Sequence, residues 1–333
     1  MSVDRAPLGG DHSAALSWSD DQLGRLGITP TSAPTLVKER PWASVFSVDT
    51  DRGRLWLKLA GAGTRFEVGL YELVHRIAPD HVLQPLALDI DRAWILLPDG
   101  GALLADDMDE ARLPGQLEQV FPQYAELQLA MAGHTDELLA TGVADMRAAA
   151  MPQRFEEALA FVGPYLARRG TAAERSAYAQ LLGLRGAVAD WCARLADAPG
   201  TPTLDHNDLH PWNVFWVQGR PAKFYDWGDA VVAHPFASML VGLGVLKRLH
   251  VLADDDPRIR RVRDAYLEPF AALGTRAELV ETLELACRVA QIARALVWAR
   301  AVGEMGAEAP DTYQTAPMHH LSNLLDPSYL GRA

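Results

Sequence analysis

The sequence predicts an α+β fold in two lobes, a small β-rich one followed by a large helical one. Two observations carry this. Residues 35–99 consist of short runs with strand-like alternation, interrupted by one amphipathic helical stretch, whereas beyond Gly101 apolar residues recur almost throughout at helical spacing. The "DGG" at 99–101 breaks both patterns. It sets a first lobe over 1–98, opening with an irregular extension over 1–33, and a second over 99–333.

Within the extension a short helix is predicted over 19–26, with Ser19 as its cap. "TLVKER", "WASVFSVD" and "GRLWLKLA" then read as three strands, the last two joined by "TDRG". "TRFEVGLYELVHRIA" places Phe66, Leu70, Leu73, Val74 and Ile77 on one helical face, and "LQPLALDID" and "AWILLPD" read as two further strands. In the second lobe "QVFPQYAELQLAMAGH" is amphipathic. "TAAERSAYAQLLGLRGAVADWCARLADA" reads as one helix behind a Thr171–Glu174 capping box, and long helices are expected over 237–249, 258–273 and 276–302. Among them "VFWV" and "KFYD" flank "QGRP" as a short hairpin.

Composition narrows the function. With 31 Lys and Arg against 43 Asp and Glu, the formal charge of −12 argues against a nucleic-acid surface. Two distant cysteines exclude a disulfide framework and a cysteine zinc site. No apolar run reaches the ~18 residues of a membrane span and the N-terminus does not read as a signal peptide, so a cytoplasmic protein without membrane partners is expected.

The chemistry concentrates in "LDHNDLHPWNVFWVQGRPAKFYDWGDA", residues 204–230, where His206, Asp208, His210, Asn213 and Asp226 lie among apolar residues. Buried carboxylates are costly unless paired, hydrogen-bonded or metal-bound. Because the hairpin goes out and back, it returns Asp226 to Asn213, and an amide oxygen beside a carboxylate suits Mg²⁺. Asp208 would face them as base or orienting group for a hydroxyl. Pro211 argues against a helical zinc pair of His206 and His210.

This stretch, His206-Asn207-Asp208-Leu209-His210-Pro211-Trp212-Asn213 followed by Asp226-Trp227-Gly228, resembles the catalytic and metal-binding loops of kinases. Its "DLHPWN" and "YDWGD" are similar to the aminoglycoside phosphotransferase and choline kinase family. The resemblance implies a bilobal protein-kinase-like fold that moves the γ-phosphate of ATP or GTP, with Mg²⁺, to a hydroxyl of a small molecule. It implies Asp208 as the catalytic group, His206 as support for its loop, and Asn213 and Asp226 as metal ligands. Lys58, at the end of the third strand, would reach the α- and β-phosphates, held by an acid on the next helix, Glu67 in preference to Glu72. Ser44 would donate to a phosphate, and the backbone at Leu97 would read the base.

Three departures stand out: Asn207 where the family commonly has Gly, no glycine in the "RPWASVF" turn over the phosphates, and Ser238 where an Asp is often found. "LAGAGTRFE" imitates a dinucleotide-binding loop, but Phe66 replaces its third glycine. The family makes an antibiotic (aminoglycoside, nucleoside or peptide) the leading acceptor, followed by a sugar, amino alcohol or homoserine-like metabolite. A non-catalytic nucleotide-binding module is the remaining class. For the acceptor walls the sequence offers the region after Asp226, the acidic turn at 106–110 and the helices over 258–302, whose Glu278, Glu281 and Glu284 are interspersed with Arg276, Arg288, Arg294 and Arg300. No clean carboxylate cluster emerges there. Trp227 and Trp298 are the expected substrate-binding aromatics, which favours a neutral or modestly charged ring over a polycationic aminoglycoside.

Overall fold

The computed structural model describes residues 11–306 and 309–331. Its first lobe is one antiparallel sheet of β1 (Thr35–Arg40), β2 (Ala43–Thr50), β3 (Gly53–Ala60), β4 (Ala87–Asp89) and β5 (Trp94–Pro98), in the order β1-β2-β3-β5-β4. The predicted "TDRG" turn joins β2 to β3, with Thr50 opposite Gly53. The fourth run contracts to three residues because Pro85 lacks a backbone N–H for the ladder.

The helix expected within the 1–33 extension is present but longer, and residues 27–33 are irregular. Helix α1 spans Ser13–Leu26, six residues earlier than predicted, and Ser19 lies inside it, buried, rather than capping it. Ala15, Ser19 and Leu23 share its inner face at intervals of four, and the polar middle member hides that stripe in the sequence. Leu23 and Ile28 pack against Phe46, Val48, Leu55, Leu57 and Leu96, the second core of the molecule. The first ten residues lie outside the described residues.

Strand alternation decides what the other face of the sheet presents. Leu57 and its neighbours Phe46 and Leu96 point to α1; Trp56 and Lys58, paired with Leu97 and Ile95, point to the cleft. Helix α2 (Phe66–Ile77) follows β3, with Glu67 buried in its first turn.

In the second lobe α3 (Leu113–Met131), α4 (Thr135–Ala140) and α5 (Met151–Arg169) precede α6 (Ala172–Leu182) and α7 (Arg185–Ala196). The Thr171 capping box forms, but Gly183 splits the single expected helix in two. A small sheet, β6 (Ala144–Asp145), β7 (Thr203–Asp205) and β10 (Val231–Ala233), runs in the order β6-β10-β7. Between β7 and β10 lies the hairpin of β8 (Val214–Phe215) and β9 (Lys223–Phe224). Helices α8 (Met239–Leu249), α9 (Pro257–Leu267), α10 (Arg276–Met305) and α11 (Asp311–Ser322) complete the lobe. Pro269 turns the rest of the predicted 258–273 helix into a 3-10 segment. The 30-residue α10 packs against α5, α7, α8 and α11 and forms one wall of the cleft.

The α1 contact has a measurable consequence. Leu23→Ala should cost about 2–5 kcal/mol of stability in urea unfolding, as for other buried leucines, whereas Leu26→Ala, at a position 40% exposed, should cost under about 0.5 kcal/mol.

Candidate active site

Lys58 is the meeting point of the two lobes. Its Nζ donates to Glu67 Oε1 at 2.6 Å and to Asp226 Oδ1 at 2.7 Å. Burial alone would lower its pKa, but the carboxylates of Asp226 and Glu67 outweigh it and hold the ammonium charged. Glu67 also accepts from the backbone N of Trp227 at 3.1 Å, so it grips both the lysine and the segment carrying Asp226. Glu72 is exposed and takes no part.

The loop after β7 carries Asp208. Asn207 adopts φ 57°, a left-handed conformation that Gly takes freely and Asn tolerates better than most residues, which accounts for Asn in a Gly position. Arg294 of α10 donates to Asp208 Oδ1 at 2.6 Å, to Asn207 O at 2.9 Å and to Asp229 Oδ2 at 3.0 Å. Burial would raise the Asp208 pKa; Arg294, with help from His210, holds it well below the usual carboxylate range. His210 Nε2 lies 3.2 Å from Asp208 Oδ2. His206 is fully buried and donates through Nε2 to Tyr225 O at 2.9 Å, and burial lowers its pKa. It braces the loop and does not reach the cleft.

Beneath the loop lies a polar platform. Asp205 is completely buried and accepts from Asn207 N at 2.8 Å and from Ser238 Oγ at 2.5 Å. Ser238 also meets Tyr124 Oη at 3.0 Å, and Tyr124 Oη in turn accepts from His206 N at 2.9 Å. The serine that departs from the family pattern is therefore a full member of this network.

The hairpin closes as the sequence suggested. Tyr225 N donates to Asn213 O at 3.2 Å, which leaves Asp226 beside Asn213. Asn213 donates through Nδ2 to Asp208 O at 3.0 Å and so keeps its amide oxygen for another partner. Asp226 is itself left-handed, φ 62°, at the head of the 3-10 turn Trp227–Asp229. Among the described residues no three His, Cys, Asp or Glu side chains cluster for a metal. One carboxylate and one amide oxygen suit Mg²⁺ nonetheless, since it keeps waters and takes phosphate oxygens for its remaining positions.

Two cavities flank these groups. The larger, about 720 Å³, lies under the sheet and is lined by Val45, Ile95, Leu97 and Pro98 with Asn213 and Asp226 at its floor. A smaller one, about 170 Å³, lies toward α10 and is lined by Trp42, Asp229, Arg294, Trp298, Arg300 and Tyr313; Lys58, Asp208 and Asp226 border both.

Lys58, Glu67, Leu97, Asp208, Asn213, Asp226 and Trp298 are thus gathered around one cleft. Two expectations are corrected. Ser44 lies on the face of β2 shared with Phe46, toward α1, while Ala43 and Val45 face the cleft; strand alternation turns its hydroxyl away. Trp227 is 0% exposed, its ring 4.6 Å from that of His206, so it belongs to the core and cannot touch a substrate. Nor do residues 258–275 line either cavity: Glu278 caps Thr275 and Glu281 pairs with Arg194. The sequence reading missed Asp205 and Asp229 as site residues, and it placed Arg294 and Arg300 on the acceptor wall without their pairing to Asp208 and Asp229. For Arg294 a signal existed, because it stands on the buried stripe of Cys287, Ala290 and Val297, where a charge demands a partner.

Residues 41–238, more than half of the chain, match the phosphotransferase enzyme family. The chain belongs to that family. No curated protein matches it in sequence. Among solved structures this phosphotransferase is similar to a macrolide 2'-phosphotransferase from Brachybacterium faecium, at 18% identity and a TM-score of 0.57 over 91% of this chain and 97% of the other. It is also similar to a choline kinase from Streptococcus pneumoniae, at 12% identity and a TM-score of 0.58 over 93% and 99%. A spectinomycin phosphotransferase solved with ADP and spectinomycin gives 12% identity and a TM-score of 0.51 over 98% and 97%. At these identities the likeness shows the fold, which is protein-kinase-like. No described helix is long and apolar enough to cross a membrane.

The platform of the phosphotransferase sets a pH dependence. Burial pushes the Asp205 carboxyl up to about 6, above its unfolded value, so its protonated form stabilises the fold and that contribution is lost as pH rises from about 4 through 6. Asp205→Asn does not titrate. Relative to wild type it should gain up to roughly 3 kcal/mol between pH 4 and pH 8 in denaturant unfolding. An unchanged difference across that range would contradict a buried, protonatable Asp205.

Proposed function

We propose that the protein is a cytoplasmic, Mg²⁺-dependent small-molecule kinase that moves the γ-phosphoryl group of ATP or GTP to a hydroxyl of an antibiotic. The observation that carries this is the convergence of Lys58, Glu67, Asp208, Asn213 and Asp226 on one cleft between the lobes of a phosphotransferase fold. Nucleotide is held by the first lobe, residues up to 98, and the acceptor by the second, from 99 onward. The base lies between Val45, Ile95 and Leu97 against the backbone of the connection, and Lys58 meets the phosphates. Asn213 and Asp226 hold Mg²⁺, which when bound neutralises phosphate charge. Asp208 orients the acceptor hydroxyl and accepts its proton as the new P–O bond forms and nucleoside diphosphate leaves. Held so far below the usual carboxylate range, Asp208 acts more by orientation than by basicity, which accords with phosphoryl transfer being mainly positioning and charge neutralisation.

Antibiotic modification is supported by the macrolide and spectinomycin phosphotransferases of similar fold. A metabolic kinase of an amino alcohol is the second reading, supported by the choline kinase. A non-catalytic nucleotide module is disfavoured by the complete set of catalytic groups. Phosphate transfer from ATP and GTP, followed by mass spectrometry over a panel of macrolides, nucleosides, peptides, aminoglycosides, sugars and amino alcohols, tests the reading. No transfer to any hydroxyl would defeat it.

Two variants probe the assigned roles. Asp208→Asn should lower turnover by ~10²–10⁴ with nucleotide affinity nearly intact. Asp226→Ala should abolish the tightening of ADP binding by Mg²⁺ in calorimetry, and Asn213→Ala should weaken it less, a neutral oxygen contributing less charge.

A further inference from the structure

The smaller cavity has a charge arrangement of its own. Five carboxylates border it: Glu67, Asp208, Asp226, Asp229 and Glu304. Left unpaired, such a group would attract an amine-bearing acceptor. Here the protein supplies the cations itself. Lys58 takes Glu67 and Asp226 at 2.6 and 2.7 Å, Arg294 takes Asp208 and Asp229 at 2.6 and 3.0 Å, and Arg300 takes Asp229 again at 2.9 Å. Glu304 stands one helical turn from Arg300, and burial raises its pKa, which favours the uncharged form.

Arg294 occupies the place a cationic ligand would want. Its guanidinium lies over the ring of Trp298, 5.5 Å from the centroid, on the same side as the Asp208 and Asp229 carboxylates. It is 8% exposed and also bonded to Asn207 O, so it cannot swing aside without breaking the loop that carries Asp208. Arg300 is fixed likewise by Gly228 O at 2.7 Å and lies over Phe66. Beyond these, Trp42, Trp298 and Tyr313 give the cavity an aromatic wall, with centroid separations of 6.1 Å for Trp42–Tyr313 and 5.4 Å for Trp298–Tyr313.

We propose that Arg294 and Arg300 determine acceptor specificity: the part of the acceptor that enters this cavity is a hydroxyl-bearing group without positive charge, a neutral sugar-like ring, and amine-bearing groups are turned away. The proposal rests on the kinase reading, since only there is the cavity beside Asp208 an acceptor site. It separates this chain from a site built to receive an amino alcohol or a polyamine, where the carboxylates must wait unpaired for the ligand.

The test uses the full chain loaded with Mg²⁺ and ADP, and methylguanidinium chloride as probe against sodium chloride at equal ionic strength. Wild type should show no saturable binding by calorimetry or thermal shift. Arg294→Ala, which takes the arginine from Asp208, and Arg300→Ala, which leaves Asp229 with Arg294 alone and opens the space beside Glu304, should bind methylguanidinium at least about tenfold more tightly than wild type. Arg300 is 26% exposed, so its variant carries the test if Arg294→Ala does not fold. Methylguanidinium saturating wild type as tightly as the variants would overturn the proposal, as would failure of Arg300→Ala to bind it. In the acceptor panel, matched pairs differing only in an amine against an acetamide add a second readout. Preference for the amine by wild type would also overturn the proposal. Absence of any phosphoryl transfer would instead defeat the kinase reading, while the cation-binding result still stands by itself.

Discussion

A buried ammonium is tolerable only where carboxylates meet it, and the cleft is organised around that requirement at Lys58. Three segments distant in sequence have to supply or support the partners: the third strand, the first turn of α2, and the loop after β9, 168 residues away from the lysine. Glu67 reaches past the lysine to the Trp227 amide and ties the position of Asp226 to that of α2. If the helix moved, the lysine would lose one anion and the loop one acceptor together. The lobes are therefore registered by charge at the cleft and by apolar packing behind it, where Phe66, Leu70, Val74 and Ile95 share one buried core with Phe121 and Tyr124 of the second lobe.

A second knot lies on the other side of the cleft and is of a different kind. Asp205, Ser238, Tyr124 and the His206 amide form a chain of hydrogen bonds with no cation in direct contact, and the strand β7 delivers the loop of Asp208 from it. Arg294 then anchors the loop from above, through Asn207 O and Asp208. In a low-dielectric interior such networks are strong only when complete, and the loss of one member leaves the others unsatisfied. Asp208 thus sits between a neutral support and an ionic one, its orientation fixed by both.

Much of this was legible in the sequence. Alternation in "GRLWLKLA" and "AWILLPD" was enough to place strands, and the out-and-back hairpin was enough to bring Asp226 to Asn213. Glu67 over Glu72 followed from the family resemblance, in which the acidic residue lies in the early turns of this helix. What escaped had physical causes. Residue type does not report which face of a strand a side chain occupies, so Ser44 was assigned to the phosphates when it faces α1. An aromatic beside a catalytic group can be core, as Trp227 is, because hydrophobic surface is what holds such a loop in place. The stripe of α1 was hidden by Ser19, and Arg294, expected on an acceptor wall, was not expected to be buried against the loop of Asp208. A charge on a buried stripe is informative only once its partners, here 65 and 86 residues away, are known.

Beside Lys58 the edge of the cleft is a two-residue turn, Pro41-Trp42, in place of a pliant glycine loop. It is stapled down from behind: Gly61 N and Thr64 Oγ1 both donate to Trp42 O, at 2.8 and 2.6 Å. A Cβ on Gly61 would lie 2.5 Å from Pro41 O, and one on Gly63 would collide with Glu304 of α10, so the glycines of "LAGAG" serve these two close approaches. A flap so fastened has no slack of its own to lift. The hairpin, Gly61 and Thr64 are therefore one mechanical piece. A change at Gly61, which lines neither cavity, is thus transmitted to the wall that Trp42 gives to both.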